Sequence, residues 1–275
     1  MTRKELINHI HTRKSFLCIG LDPELGKIPE CLRKDPDALF VFCREIVDAT
    51  RDLCVAYKPN TAFFEQYGSK GWDSLERLVG HIGNNHFIIA DAKRGDIGNT
   101  STMYAKAFFE SLGADAVTLS PYMGYDSLHP FMVFNGKWAV VLALTSNAGS
   151  SDFQLRKLEQ EEIPVQLFEH VLTTVSGWGT PENTMFVVGA THPEQFSQIR
   201  KLVPEHFLLV PGVGAQGGSL QQVARCGMNA DIGLLVNSSR QIIYAGSNDD
   251  FSMASRKEAE KLQLEMAELL ISRIS

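Results

Sequence analysis

Residues 86–100 read HFIIADAKRGDIGNT, and the change halfway along this stretch decides the architecture. Its first half, FIIA, is apolar without alternation, as expected of a strand whose two faces are both buried. Its second half carries Asp91, Lys93 and Asp96 within six positions. A strand that is core at one end and ionisable at the other runs from a packed interior into a polar cleft.

Seven more runs share this apolar character: FLCIGLD (16–22), CVAYKPN (54–60), DAVTLSP (115–121), WAVVLALTS (138–146), MFVVGAT (185–191), HFLLVPGV (206–213) and IGLLVNSS (232–239). Helical patterns separate them, near 38–53, 72–82, 99–112, 162–176, 193–203 and 217–226. An amphipathic helix near 255–272, with Leu262, Met266, Leu269 and Leu270 among its apolar positions, closes the chain. Eight strands, each with a crossover, predict an α/β fold, a (β/α)8 TIM barrel filling residues 1–275 as one domain. A doubly wound open sheet is the competing fold, but no G-x-G-x-x-G follows the first strand. Two connections are long, 23–53 and 147–184. The second opens with SNAGSSDFQ at the C-terminal end of a strand, where a barrel carries its active-site loops, and is expected to form a lid.

Composition narrows the function. The 275 residues include 26 Lys and Arg against 32 Asp and Glu, a net charge of −6, so no basic field attracts nucleic acid. Cys18, Cys31, Cys43, Cys54 and Cys226 form an odd set with neither C-x-x-C nor ligand spacing to histidine, and read as reduced thiols. Cys18 and Cys54, inside strands, read as inert core groups. The N-terminus is polar and no stretch approaches a membrane span, which predicts a cytoplasmic protein. His9 and His11 fall on a polar N-terminal helix, and the remaining histidines show no metal-ligand spacing. Phe63–Phe64 and Phe108–Phe109 read as packing pairs.

In a barrel, side chains at the C-terminal strand ends line the active site. Asp22 ends the first strand and Lys58 the second. Strand periodicity puts Asp91 and Lys93 on one face of the third, with Asp96 just beyond, giving an acid–base–acid cluster. A purely structural ion-pair network is the competing explanation for any one of these residues, and a weaker one for the set. PGVGAQGG (211–218) ends the seventh strand with glycines that let a backbone cradle approach a phosphate, and Arg240 in NSSRQ ends the eighth with a cation for the same phosphate. The glycines alone would also suit an ordinary strand-to-helix turn.

These blocks resemble orotidine 5′-phosphate decarboxylase, and in length the longer bacterial subgroup of that family. DAKRGDIGNT is similar to its D-x-K-x-x-D signature, and GLDP, YKPN and PGVGAQGG match further blocks in order. The resemblance implies decarboxylation of orotidine 5′-monophosphate to UMP, the last step of de novo pyrimidine nucleotide synthesis. It implies that Lys93 is the proton donor, that Asp91 presses on the substrate carboxylate, and that Lys58 joins the charged array. It also implies that Asp96, Ile97 and Thr100 reach into the neighbouring site of a homodimer. Asp22 would hold the ribose, Ser146 would meet the pyrimidine and Gln216 would bridge base and phosphate. Arg240, with the Pro211 and Gly214 loop, would grip the phosphate. The approach VNSSRQ departs from the compact form, which has a glycine just before the arginine.

Loss of carbon dioxide leaves a carbanion at C6 with no adjacent carbonyl to delocalise it, so a fixed ammonium must stabilise it. Lys93 between carboxylates is expected to stay protonated for that purpose. Two like charges ~4 Å apart at an effective dielectric of ~20 repel by about 4 kcal/mol, a stress relieved when neutral carbon dioxide departs. Neither a cofactor nor a metal is implied. The alternatives are a magnesium-dependent phosphosugar decarboxylase or aldolase on the same barrel, and a non-catalytic nucleotide sensor.

Overall fold

The eight apolar runs become eight parallel strands: β1 (Leu17–Leu21), β2 (Ala56–Pro59), β3 (Phe87–Arg94), β4 (Ala116–Leu119), β5 (Trp138–Leu144), β6 (Thr184–Val188), β7 (Phe207–Pro211) and β8 (Leu234–Ser238). They pair in chain order and close through β1 and β8, with Leu17 opposite Val236 and Cys18 opposite both Asn237 and Ala56. The computed structural model describes residues 1–158, 164–191, 193–214 and 218–274. Closure explains why the strands do not alternate: one face fills the barrel and the other meets the helices, so both exclude water.

The N-terminal mouth is sealed by large rings. Phe87, Trp138 and Phe207 are the first residues of β3, β5 and β7. Trp138 meets both phenylalanines edge to face, at ring-centroid distances of 5.8 and 6.2 Å. Contributions from alternate strands are how a small barrel fills its interior. The ring layer leaves the opposite mouth as the end open to a ligand.

Helices cover the outside: α1 (Arg3–Arg13), α2 (Ala38–Thr50), α3 (Ser69–Ile82), α4 (Gly98–Lys106), α5 (Tyr125–Met132), α6 (Leu167–Ser176), α7 (Phe196–Leu202), α8 (Leu220–Gly227) and α9 (Phe251–Ile274). A capping box between Thr2 and Glu5 starts α1. The stretch expected as one helix over 99–112 changes at Ala107 into a π-helical turn running to Ser111. Sequence patterning did not reveal α5, because it spans only eight residues and contains Pro130. Around α2 and α9 the sheath is aromatic: Phe42 stacks on Phe251 at 5.3 Å and on Tyr244 at 5.8 Å.

The described parts of the connection after β5 form regular elements. A helical turn at Ser150–Phe153 leads into a two-stranded hairpin, Lys157–Leu158 against Val165–Gln166, and α6 follows directly. Gln154 Oε1 accepts from the Thr145 backbone N–H at 2.7 Å, tying the start of the connection to the end of β5. The predicted helix start at 162–163 lies outside the described residues, as does the one at 217. None of the described helices is long and apolar enough to cross a membrane.

Candidate active site

At the C-terminal mouth, β2, β3 and β4 bring one carboxylate under three donors. Asp91, 7% exposed, accepts from Lys58 Nζ on Oδ2 at 2.5 Å and from Lys93 Nζ on Oδ1 at 2.6 Å. The Thr118 hydroxyl donates to the same Oδ1 at 2.9 Å. Burial alone would push the Asp91 carboxyl up, but the Lys58 and Lys93 ammoniums overcome it and hold the group well below the usual carboxylate range. Burial likewise pulls Lys58 down, and Asp91 with Asp22 more than reverses it, leaving the ammonium above its ordinary value. Asp91 and Lys58 are therefore both ionised throughout the neutral range.

The two lysines differ in reach. The Lys58 side chain is 7% exposed and committed to Asp91, whereas that of Lys93 is half exposed, with its charge at the open face of the cleft. Lys93 does not sit in a regular strand as simple alternation predicts. Its φ is +48°, and the β3–β4 register shifts between Ala90 and Arg94. A left-handed backbone costs a non-glycine residue about 1–2 kcal/mol, so its neighbours must enforce it. On one side the Lys93 N–H donates to Thr118 Oγ1 at 2.9 Å. On the other, Arg94 pairs with Glu65 and lies 5.4 Å from both the Tyr104 and Phe108 ring centres, while its carbonyl accepts from Ser120 N–H at 2.9 Å.

Asp96 does not complete an acid–base–acid cluster within the chain. Its Oδ1 accepts from the Ile97 N–H at 2.8 Å, and it forms no ion pair among the described residues. Ile97 and Thr100 are exposed beside it. Spacing located all three residues on the loop after β3, but spacing does not say which way a loop carboxylate turns.

Across the cleft, β1, β7 and β8 form a second wall. A cavity of about 170 Å³ is lined by Asp22, Lys58, Asn60 and Asp91 on one side and by Pro211, Gly212, Val213 and Asn237 through Gln241 on the other. Ser239 Oγ donates to Asp22 Oδ2 at 2.5 Å and lies 3.2 Å from the Gly20 carbonyl. A Cβ at Gly20 would meet Ser239 Cβ at 2.7 Å, so the serine that departs from the compact form's glycine fits because β1 carries a glycine opposite it. The other oxygen, Asp22 Oδ1, is buried without a partner among the described residues, as are Asn237 Oδ1, Ser238 Oγ and Gln241 Oε1. Buried polar atoms of this kind require an explanation, and the four residues that carry them all line this one cavity, the arrangement a site for a polar ligand needs.

Of the remaining expected residues, Arg240 begins a helical turn, Arg240–Ile243, and is exposed on the cavity rim with Pro211. Gly214 has φ +79°, which favours glycine there, and the Gln241 side-chain amide packs against its open face. Gln216 lies outside the described residues. Ser146 sits beyond β5 against Gly189 rather than in the cavity wall, because a Cβ on Gly189 would meet Ser146 at 2.7–2.8 Å.

The sequence reading missed Thr118, Asn60, Asn237, Ser239 and Gln241. Thr118 and Asn237 did leave a signal, each being a polar residue inside an otherwise apolar run. Elsewhere, Cys18, Cys43 and Cys54 are buried thiols, and burial pushes Cys54 up to about 12. Phe64, Phe108 and Phe109 are core.

Known proteins resemble this chain along nearly its whole length. A family model described as orotidine 5′-phosphate decarboxylase / HUMPS family matches residues 15–251. The orotidine 5′-phosphate decarboxylase of Flavobacterium johnsoniae is 55% identical over 276 residues, covering 99% of this chain and 100% of its own. That of Bacteroides fragilis is 54% identical over 273 residues, covering 98% of each. Among solved structures, Leishmania donovani OMP decarboxylase superposes with a TM-score of 0.84 at 36% identity, covering 98% of this chain and 99% of its own.

Proposed function

The chain belongs to the orotidine 5′-phosphate decarboxylase / HUMPS family and is a carboxy-lyase that converts orotidine 5′-monophosphate to UMP in pyrimidine synthesis; from that premise we infer how its residues divide the work. Lys93 is the proton donor to C6. Its ammonium is anchored on Asp91 yet half exposed toward the cleft, so it can stabilise the developing carbanion and then protonate it. Asp91 is the observation that carries this reading: three donors keep it charged at the floor of the cleft, where the substrate carboxylate is opposed and carbon dioxide departs without that repulsion. Lys58 keeps the buried carboxylate neutralised on its other oxygen.

Binding energy comes from the opposite wall. Asp22 holds the ribose through its unpartnered Oδ1, and Arg240 with Pro211 and Gly214 holds the phosphate. Ser146 and Gln216 are assigned to the pyrimidine and to the bridge between base and phosphate by the family resemblance. Ser146 stands outside the cavity wall and would approach the base only as the connection after β5 moves.

The working unit is a homodimer in the cytoplasm. Ile97, Met103, Tyr122, Met123 and Tyr125 are large apolar residues exposed on the elements that follow β3 and β4, Tyr122 at 88%. A second copy covering this face would bring Asp96 and Thr100 to its neighbour's Lys93 and supply the second carboxylate that one chain lacks. The relatives carry the decarboxylase name, which gives no support to a magnesium-dependent phosphosugar enzyme or a sensor.

The test is loss of orotidine 5′-monophosphate absorbance in 1 mM EDTA by the wild type and by Lys93→Ala. Turnover in chelator that collapses in the variant is expected. Turnover retained by a folded Lys93→Ala protein would refute the residue assignment.

A further inference from the structure

We propose that Thr118 is a positioning residue for the decarboxylation, its single hydroxyl setting both the backbone of Lys93 and the carboxylate of Asp91. The inference rests on the assignment of Lys93 and Asp91 above. Thr118 is 1% exposed on β4, within a run that is otherwise apolar, and its hydroxyl is used in both directions. It accepts from the Lys93 backbone N–H at 2.9 Å and donates to Asp91 Oδ1 at 2.9 Å. Lys93 Nζ donates to that same Oδ1 at 2.6 Å, which closes a ring from the Lys93 amide through Thr118 and Asp91 back to the Lys93 ammonium.

The ring lies where β3 departs from regular pairing. Between Ala90 and Arg94 the β3–β4 register slips, and Lys93 takes a φ of +48° that a lysine adopts only under constraint. In a regular parallel ladder a backbone carbonyl on the neighbouring strand would take the Lys93 N–H. Here a side chain on β4 takes it, and that side chain also fixes one oxygen of Asp91. The distance between ammonium and carboxylate is thereby tied to the backbone turn that aims the ammonium. Threonine suits the role because its β-branch restricts χ1, so the hydroxyl is held in place before substrate arrives. Serine keeps the hydroxyl and valine keeps the shape, which separates the two contributions.

Kinetics of Thr118→Val and Thr118→Ser against wild type test the proposal, with near-UV circular dichroism and UMP binding confirming the fold. In the valine variant kcat is expected to fall by about tenfold or more while KM stays within about twofold, because the ring touches the reacting end of the site rather than the ribose or phosphate. Thr118→Ser should stay within about threefold of wild type. Should the valine variant not fold, Thr118→Ala makes the same comparison with serine. Equal losses in the serine and hydroxyl-free variants, or an unchanged kcat without the hydroxyl, would overturn the proposal. Absence of turnover in the wild type would instead overturn the site assignment on which it rests.

Discussion

The two mouths of the barrel handle buried polar groups in opposite ways. At the C-terminal mouth, Asp91 is bound to both Lys58 and Lys93, and four polar atoms on the facing wall have no partner among the described residues. At the N-terminal mouth, charge serves to tie backbone. Arg200 donates to the carbonyls of Gly227, Val203, His206 and Gly233, joining the end of α8, the end of α7 and the approaches to β7 and β8. Arg3 does the same on a smaller scale, donating to Pro181 O and Asp231 Oδ2 at 3.0 Å each with its guanidinium 5.3 Å from the Phe207 ring centre. One end leaves polar side-chain atoms facing the cleft, and the other, His206 apart, spends its guanidiniums on backbone within the chain, which is why catalysis and stability should separate under mutation.

The largest effect that can break this division is at Lys93. Lys93→Ala should lower kcat by about 10⁴-fold, the upper range for loss of a positioned general acid. It should leave the melting temperature nearly unchanged, since Asp91 keeps Lys58 and Thr118. A large loss of stability measured by calorimetry would show that the charged array holds the fold as well as the chemistry. Arg200→Ala is the converse. Leaving several buried carbonyls without a donor should cost about 3 kcal/mol in chemical denaturation, with kcat at 25 °C within about twofold of wild type. Ser239→Ala comes next. It removes the donor that orients Asp22 without creating a clash at Gly20, and should raise KM by about fivefold while kcat is held. A fall in kcat with KM unchanged would move Asp22 from the binding wall to the chemistry.

The strands, their order and the charges at their ends were legible because burial on both faces writes an unbroken apolar run, and because ionisable residues at strand ends stand out against it. Asp22, Lys58, Asp91, Lys93 and Arg240 were all located in this way and line or adjoin one cleft. What the sequence did not disclose depends on geometry that local patterning does not encode. The left-handed turn at Lys93 is enforced by Thr118 on β4 and by Glu65, Tyr104 and Phe108, which hold the adjoining Arg94, and nothing in DAKR itself requires it. The fit of Ser239 needs Gly20, some 200 residues away. The direction of the Asp96 carboxylate is a rotamer choice on an exposed loop. Pro130 concealed α5, since proline in a short segment reads as a break although a tertiary contact can retain the helix.

The smallest expected effect sharpens the account of the N-terminal mouth. His206 precedes β7, is 6% exposed, packs against Phe186 at 5.3 Å, and has no hydrogen-bond partner on either ring nitrogen among the described residues. Burial, then the charges of Arg3 and Arg200, pull it down to about 4. Its folded value lies below the ordinary histidine value of about 6.5, so between these limits the unfolded chain binds more protons than the native one. Stability from keeping His206 neutral is therefore complete above about pH 6.5 and is lost as pH falls toward 4. His86, before β3, is pulled down to about 4 by burial and Arg13, and adds to the same window. Replacing the imidazole by a group that does not titrate, as in His206→Gln, should make the fall in melting temperature between pH 7 and pH 4.5 shallower by the equivalent of about 1 kcal/mol. His86 and the carboxylates would carry the remainder. An unchanged slope would mean that water reaches His206 and that this mouth is less tightly closed than its ring layer implies, whereas a shallower slope with unaltered kcat at pH 7 would confirm that acid unfolding begins at the end of the barrel remote from the substrate.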